Sequence, residues 1–246
     1  EIGFTIPDTY NASRILFDNL AAGRGARLAL TGPGGTRTYA ELCAEASQWG
    51  HAFQSLGLQR GDRILMFLDD TPAYPAAFFG AVRSGFVPLF INTLTPPDLL
   101  QFYLLDAAAS VAIAEAEFVS RFSTEACKDT PLQTLIVVNG APDEHAVPNT
   151  FLAEQWLQRF PTDLPEADTG RDDMAFWMYS SGSTGRPKGI VHLQHDMAYT
   201  EQSFARDVLK LRPDDVCFSV PKIFFAYGFG NAITFPFAVG AATLLL

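Results

Sequence analysis

The chain has 246 residues, 48% hydrophobic and 18% charged, which suits one large domain or two small ones and is too little charge density for a disordered chain. Its 17 Lys and Arg against 27 Asp and Glu give a net charge of −10, and the basic residues are scattered. That argues against a nucleic-acid surface or an anionic membrane face, so any anionic ligand must be gripped locally, by a loop.

In chain order, Asn11-Ala12-Ser13 fits a glycosylation pattern but reads more simply as a helix start with Asn11 as cap. Thr38 with Glu41 forms a capping box, and Tyr39, Leu42, Cys43, Ala46, Trp49, Phe53 and Leu56 follow at helical spacing until Gly57 stops the helix. Residues 63–68 are a continuous apolar run of buried-strand type. Thr71-Pro72 then opens a helix with Tyr74, Ala77, Phe78, Ala81 and Val82 on its apolar face, closed by Gly85 and followed by a strand over 86–91. A strand at 111–114, a helix near 118–126 and a strand at 134–138 come next.

Residues 139–149, rich in Pro, Asp and Asn, read as a surface connection, and a subdomain seam is expected near 139–173. The pattern predicts a helix near 151–160, strands at 174–179 and 190–193, and a helix from about 197 to 209 closed by Pro213. This alternation implies βαβ units forming largely parallel sheets covered by helices, an α/β fold. Residues 241–246 look like a buried strand with nothing after it, lacking its neighbours, so the chain is expected to be a portion of a longer protein.

The longest apolar stretch, residues 235–246, contains Pro236 and Gly240 and is shorter than the ~18 residues a membrane span needs. The start, Glu1-Ile2-Gly3-Phe4, has no basic region followed by an apolar run, so the cytoplasm is the expected compartment. Cys43, Cys127 and Cys217 are far apart with no His at ligand spacing, so neither a disulfide framework nor a metal site is expected.

The strongest chemical signal is residues 179–189, Tyr-Ser-Ser-Gly-Ser-Thr-Gly-Arg-Pro-Lys-Gly. Glycines let successive N–H groups converge into an anion nest, Ser181, Ser183 and Thr184 add donors, and Lys188 brings a mobile charge. Charge-assisted hydrogen bonds contribute roughly 1.5–3 kcal/mol each, so a few hold a polyphosphate on an acidic protein. The loop is not a Walker A sequence: Pro187 stands five after Gly182 and Lys188 precedes Gly189. Ile190 to Leu193 is strand-like, so the loop joins two strands and has no helix dipole behind it.

This segment resembles the phosphate loop of the acyl-adenylate-forming ligases. Residues 36–42 (TRTYAEL) and 80–96 (GAVRSGFVPLFINTLTP) are similar to two further elements of that family. The resemblance covers essentially the whole chain and implies part of the large N-terminal AMP-binding domain, the rest of which and the C-terminal domain lie outside residues 1–246. By it, Ser181, Gly182, Ser183, Thr184, Gly185 and Lys188 hold the phosphates of ATP, and Mg2+ accompanies the nucleotide.

Five phenylalanines, Phe224, Phe225, Phe229, Phe235 and Phe237, fall within fourteen residues and are candidates to wall a flat apolar pocket. The form FFAYGFGN is similar to benzoate–CoA ligases and their hydroxybenzoate relatives, which implies Ala226 and Tyr227 as contacts of an aromatic acid. The implied reaction joins benzoate or a hydroxybenzoate to coenzyme A through an acyl-adenylate, a step of aromatic compound degradation. Catalytic residues are expected beyond residue 246, so these residues alone are expected to make no acyl-CoA. The alternatives are a ligase for another small or aliphatic acid and a non-catalytic nucleotide-binding relative; a homo-oligomer is left open. His192, His195, Asp69, Asp70 and Lys222 read more simply as structural residues than as catalytic or metal-binding ones.

Overall fold

The computed structural model describes residues 4–141, 144–180 and 186–246. The chain opens with α1 (Arg14–Ala21), a hairpin of β1 (Leu28–Gly32) and β2 (Gly35–Thr38), and α2 (Tyr39–Ser55). Then come β3 (Arg63–Phe67), α3 (Ala73–Arg83), β4 (Val87–Phe90), α4 (Pro97–Asp106), β5 (Val111–Glu115), α5 (Thr124–Cys127) and β6 (Thr134–Val138). Next are β7 (Asn149–Leu152), α6 (Ala153–Trp156), β8 (Met174–Ser180), β9 (Lys188–Leu193) and α7 (Asp196–Thr200). The last elements are β10 (Val216–Phe218), α8 (Ala226–Phe229), α9 (Phe235–Val239) and β11 (Ala242–Leu244).

A seven-stranded sheet in the order β7-β6-β5-β3-β4-β8-β9 organises the molecule, parallel throughout except for the antiparallel pair β8–β9. Its central strands are apolar on both faces because helices cover both. The two-residue period sends Ile64, Met66, Ile113 and Ile136 into one core cluster with α2 and α3. Leu65, Phe67, Ala112 and Leu135 enter the other, beneath α4 and α5. Helices α2 and α3 approach closely at Gly80, where a Cβ would stand 2.4 Å from the Ala46 carbonyl oxygen. A four-stranded sheet, β10-β11-β1-β2, packs at the other side of that helical layer, with β10, β11 and β1 parallel.

The α/β fold read from the sequence is the one observed. The capping box forms with both of its hydrogen bonds, and β6 has the predicted limits. Asn11 departs from its expected role: α1 starts at Arg14, while the fully buried Asn11 accepts from the Ser13 N–H and donates to the Val82 carbonyl, leaving no room for a glycan. The helix expected near 118–126 is a 3-10 stretch, Ala116–Arg121, followed by α5, because Ser123 accepts from the Ala126 N–H and restarts the helix. The helix expected near 151–160 begins as β7, since Phe151 and Leu152 pair with Ile136 and Val137. Nor does the strand near 241–246 lack neighbours, because β11 is hydrogen-bonded between β10 and β1. Among the described residues no helix is long and apolar enough to cross a membrane.

Candidate functional site

The loop singled out in the sequence closes the β8–β9 hairpin. Tyr179 pairs with Gly189 and Ser180 with Lys188, so the hairpin's open end lies at the end of β8, where the parallel strands present their carboxyl termini. Ligands in open α/β sheets bind at that edge. Ser181, Gly182, Ser183, Thr184 and Gly185 lie outside the described residues; Lys188 is described, is exposed, and makes no ion pair among the described residues. The hairpin is anchored by the Tyr179 hydroxyl, which donates to Asp106 Oδ2 at 2.8 Å, and by its ring against Tyr103 at 4.4 Å. Burial, then the Asp106 carboxylate, pushes the Tyr179 hydroxyl well above the usual phenol range, so it stays a donor.

Alternation along β8 places Trp177 and Tyr179 against the α4 side and turns Phe176 and Met178 to the opposite face. There they border a cavity of about 350 Å3, with His192 from β9, Asp196, Met197, Tyr199 and Thr200 from α7, and Ala226, Phe229, Gly230, Thr234 and Phe235 from the last helical run. Both helices that wall it widen beside it: α7 continues as a π-helix over Glu201–Arg206, and a π-helix at Gly230–Thr234 joins α8 to α9. Pro236 explains the second, since it has no N–H to donate to the preceding turn.

His192 stacks on Phe176 with centroids 4.5 Å apart and planes at 13°, and its Nδ1 is 3.1 Å from Asp196 Oδ2. A carboxylate only accepts, so this bond places an imidazole proton on Nδ1. Asp196 also accepts from the Leu193 N–H, which fixes its orientation at the start of α7.

A polar cluster follows β3. Asp69 Oδ1 is 2.7 Å from Lys222 Nζ, and Asp70 Oδ1 accepts from the Ile223 N–H at 3.0 Å. Burial raises the Asp70 carboxyl to about 6, opposed by the Ile223 N–H and by Lys222. Nearby, Glu115 receives Thr71 Oγ1 at 3.1 Å and Asn139 Nδ2 at 2.8 Å, and burial raises its carboxyl above the usual range. Among the described residues no group of three or more His, Cys, Asp or Glu side chains is arranged to hold a metal ion.

The structure thus brings Ala226, Phe229 and Phe235 to one cavity, while Phe224 and Phe237 are core residues and Phe225 is half-exposed. Tyr227 is 69% exposed and does not line the cavity. Phe176, Met178, Met197 and Thr234 were missed as site residues; the period-two pattern of β8 was the one available signal, for the first two. Lys222 is engaged by Asp69, in keeping with a structural part.

Residues 17–246 match the family model described as AMP-binding enzyme. The chain is 39% identical over 243 residues to a benzoate–CoA ligase of Thauera aromatica, covering 98% of this chain and 45% of that protein. It is 37% identical to a 4-hydroxybenzoate–CoA/benzoate–CoA ligase of Rhodopseudomonas palustris, covering 96% and 43%. Among solved structures, the anthranilate CoA ligase AuaEII in complex with anthranoyl-AMP superposes with a TM-score of 0.93 at 34% identity, covering 98% of this chain and 46% of that one. A benzoate CoA ligase from Burkholderia xenovorans LB400 gives 0.84 at 36%, covering 96% and 45%. The chain therefore spans a little under half the length of the curated relatives it matches.

Proposed function

The chain belongs to the AMP-binding enzyme family, and from that membership we propose that it forms part of an ATP-dependent ligase that activates benzoate or a hydroxybenzoate and transfers it to coenzyme A. The observation that carries this reading is the aromatic-walled cavity, with Ala226 on its rim, on the hairpin that holds the phosphate loop. The likeness to aryl–CoA ligases over nearly the whole chain supports the same substrate class. Residues 1–246 then belong to the large N-terminal AMP-binding domain, with a proposed internal seam near 139–173.

A carboxylate is a poor electrophile, so it must gain a leaving group before a thiol attacks it. In the proposed scheme the aryl carboxylate attacks the α-phosphorus of ATP, forming the acyl–phosphate bond as pyrophosphate departs. The thiol of coenzyme A then displaces AMP and gives up its proton. This chain's part is to position and to neutralise charge: Ser181, Gly182, Ser183, Thr184, Gly185 and Lys188 hold the phosphates, Ala226 contacts the acid from the cavity wall, and Tyr227, exposed outside that wall, would have to turn toward the bound acid to reach it. Mg2+ would accompany ATP, held largely through the nucleotide's own phosphate oxygens, and would neutralise part of their charge.

The test is ATP–pyrophosphate exchange by the full gene product carrying these residues. Exchange driven by benzoate and 4-hydroxybenzoate is expected to exceed that driven by acetate at least about tenfold, the discrimination an apolar pocket achieves. Equal exchange with acetate would remove the aromatic assignment. The 246-residue chain alone is expected to form no benzoyl-CoA.

A further inference from the structure

The corner that follows β3 sits where the sheet order turns: β4 lies on one side of β3 and β5 on the other. In open α/β sheets such a switch point is where a crevice opens for ligand. Here it is spanned from the far end of the sequence by residues 221–225. Asp69 and Asp70, adjacent in the chain, hold Lys222 and Ile223, adjacent in that segment: Asp69 pairs with the Lys222 ammonium at 2.7 Å, and Asp70, 5% exposed, accepts the Ile223 N–H at 3.0 Å.

What they hold is not free to move independently of α8. The Lys222 carbonyl accepts from the Phe225 N–H at 3.0 Å, and the Phe225 carbonyl accepts from the Phe229 N–H at 2.8 Å. A Cβ on Gly228 would stand 2.0 Å from the Lys222 carbonyl oxygen and 2.4 Å from that of Pro221, so the segment lies directly on the helix with no slack. Ala226 and Phe229, carried by that helix, line the cavity.

We propose that Asp70 is a positioning residue for acid selectivity: with Asp69 it clamps residues 221–223 to the switch point and so sets where α8 presents Ala226 and Phe229 to the acid. This rests on the reading of the cavity as the acid site. Asp70 touches no reacting atom; its buried oxygen is committed to the Ile223 N–H.

The experiment measures kcat and KM for benzoate, acetate and ATP in the full gene product and its variants. Asp70→Ala removes the acceptor and is expected to raise the benzoate KM about tenfold and to narrow the benzoate-over-acetate preference by a similar factor, with the ATP KM within about twofold of wild type. Asp70→Asn keeps an oxygen for Ile223 and is expected to return the preference to within about threefold of wild type. A loss shared equally by ATP and both acids, or an unchanged preference, would overturn the proposal. Should Asp70→Ala not fold, Lys222→Met loosens the exposed half of the clamp, together with the Lys222 ammonium's bond to the Leu246 carbonyl, and is expected to shift the preference about twofold to threefold in the same direction, an unchanged preference again overturning it. Wild-type protein that does not activate aromatic acids, or an unaltered preference in Phe229→Ala, marks instead the failure of the acid-site reading, and the proposal falls with it.

Discussion

At the β8–β9 hairpin every candidate phosphate ligand falls within eleven consecutive residues, whereas the neighbouring cavity takes its walls from β8, β9, α7 and the helical run that ends the chain. The hairpin turn is an edge feature, and its described lysine is exposed. The cavity walls are also core: Phe176 and Phe229 belong to one aromatic cluster with Phe78 and Phe90, at centroid distances of 4.9–5.6 Å. Function and stability are therefore separable at the hairpin and entangled at the cavity. A loop that binds an anion with backbone N–H groups needs only a local sequence, while a shaped apolar pocket must be assembled from elements that also hold the fold together.

The largest expected effect tests the entangled side. Phe237 is fully buried against Tyr39 and Phe79, so Phe237→Ala should lower stability by about 3–5 kcal/mol in a denaturant titration. A loss below about 1 kcal/mol would take this residue out of the core. On the separable side, Lys188→Ala should reduce pyrophosphate exchange about 100-fold with every acid while the melting temperature stays within about 2 °C. A defect confined to one acid would break the division between phosphate and acid ends.

Asp70 sharpens the comparison through pH. Its carboxyl is held near 6 in the folded chain against an ordinary 3.8, so the folded form binds the extra proton between those values. Stability contributed by the protonated group is present at low pH, falls as the pH rises from about 4 to 6, and stays lost above that, on the order of 3 kcal/mol. Asp70→Asn has no such proton to lose. Thermal unfolding at pH 4 and pH 7.5 should show the variant gaining on wild type at the higher pH; a difference independent of pH would contradict the raised carboxyl. The smallest effect belongs to Tyr227→Ala, which should change stability by less than about 0.5 kcal/mol because the side chain is 69% exposed, while altering the preference among acids. An unaltered preference would withdraw Tyr227 from the acid contacts.

These regions also differed in how far the sequence revealed them. The capping box at Thr38 and Glu41 and the uninterrupted apolar run of β6 are local signals, and both elements formed as read. The connection between two strands at residues 181–187 was legible for the same reason. Helix α4 has no counterpart among the elements read from the sequence, although Pro97 at its first position is pre-organised for a helix. Strand β7 was absorbed into a predicted helix because its pairing partner is in β6. The cavity stayed hidden because its shape depends on a π-turn ahead of Pro236 and on which face of β8 looks inward. The grip of Asp70 on Ile223 joins residues 153 apart and has no local signature at all.

If the proposed function is right, nucleotide phosphates and aromatic acid meet where the β8–β9 hairpin adjoins the cavity. A crystal structure of the full gene product with a benzoyl-adenylate analogue tests it directly. The expected result is the aromatic ring between Phe176, Ala226 and Phe229, with the adenylate phosphate facing residues 181–188. A ring seated outside that cavity, or a phosphate bound away from an ordered turn, would contradict it.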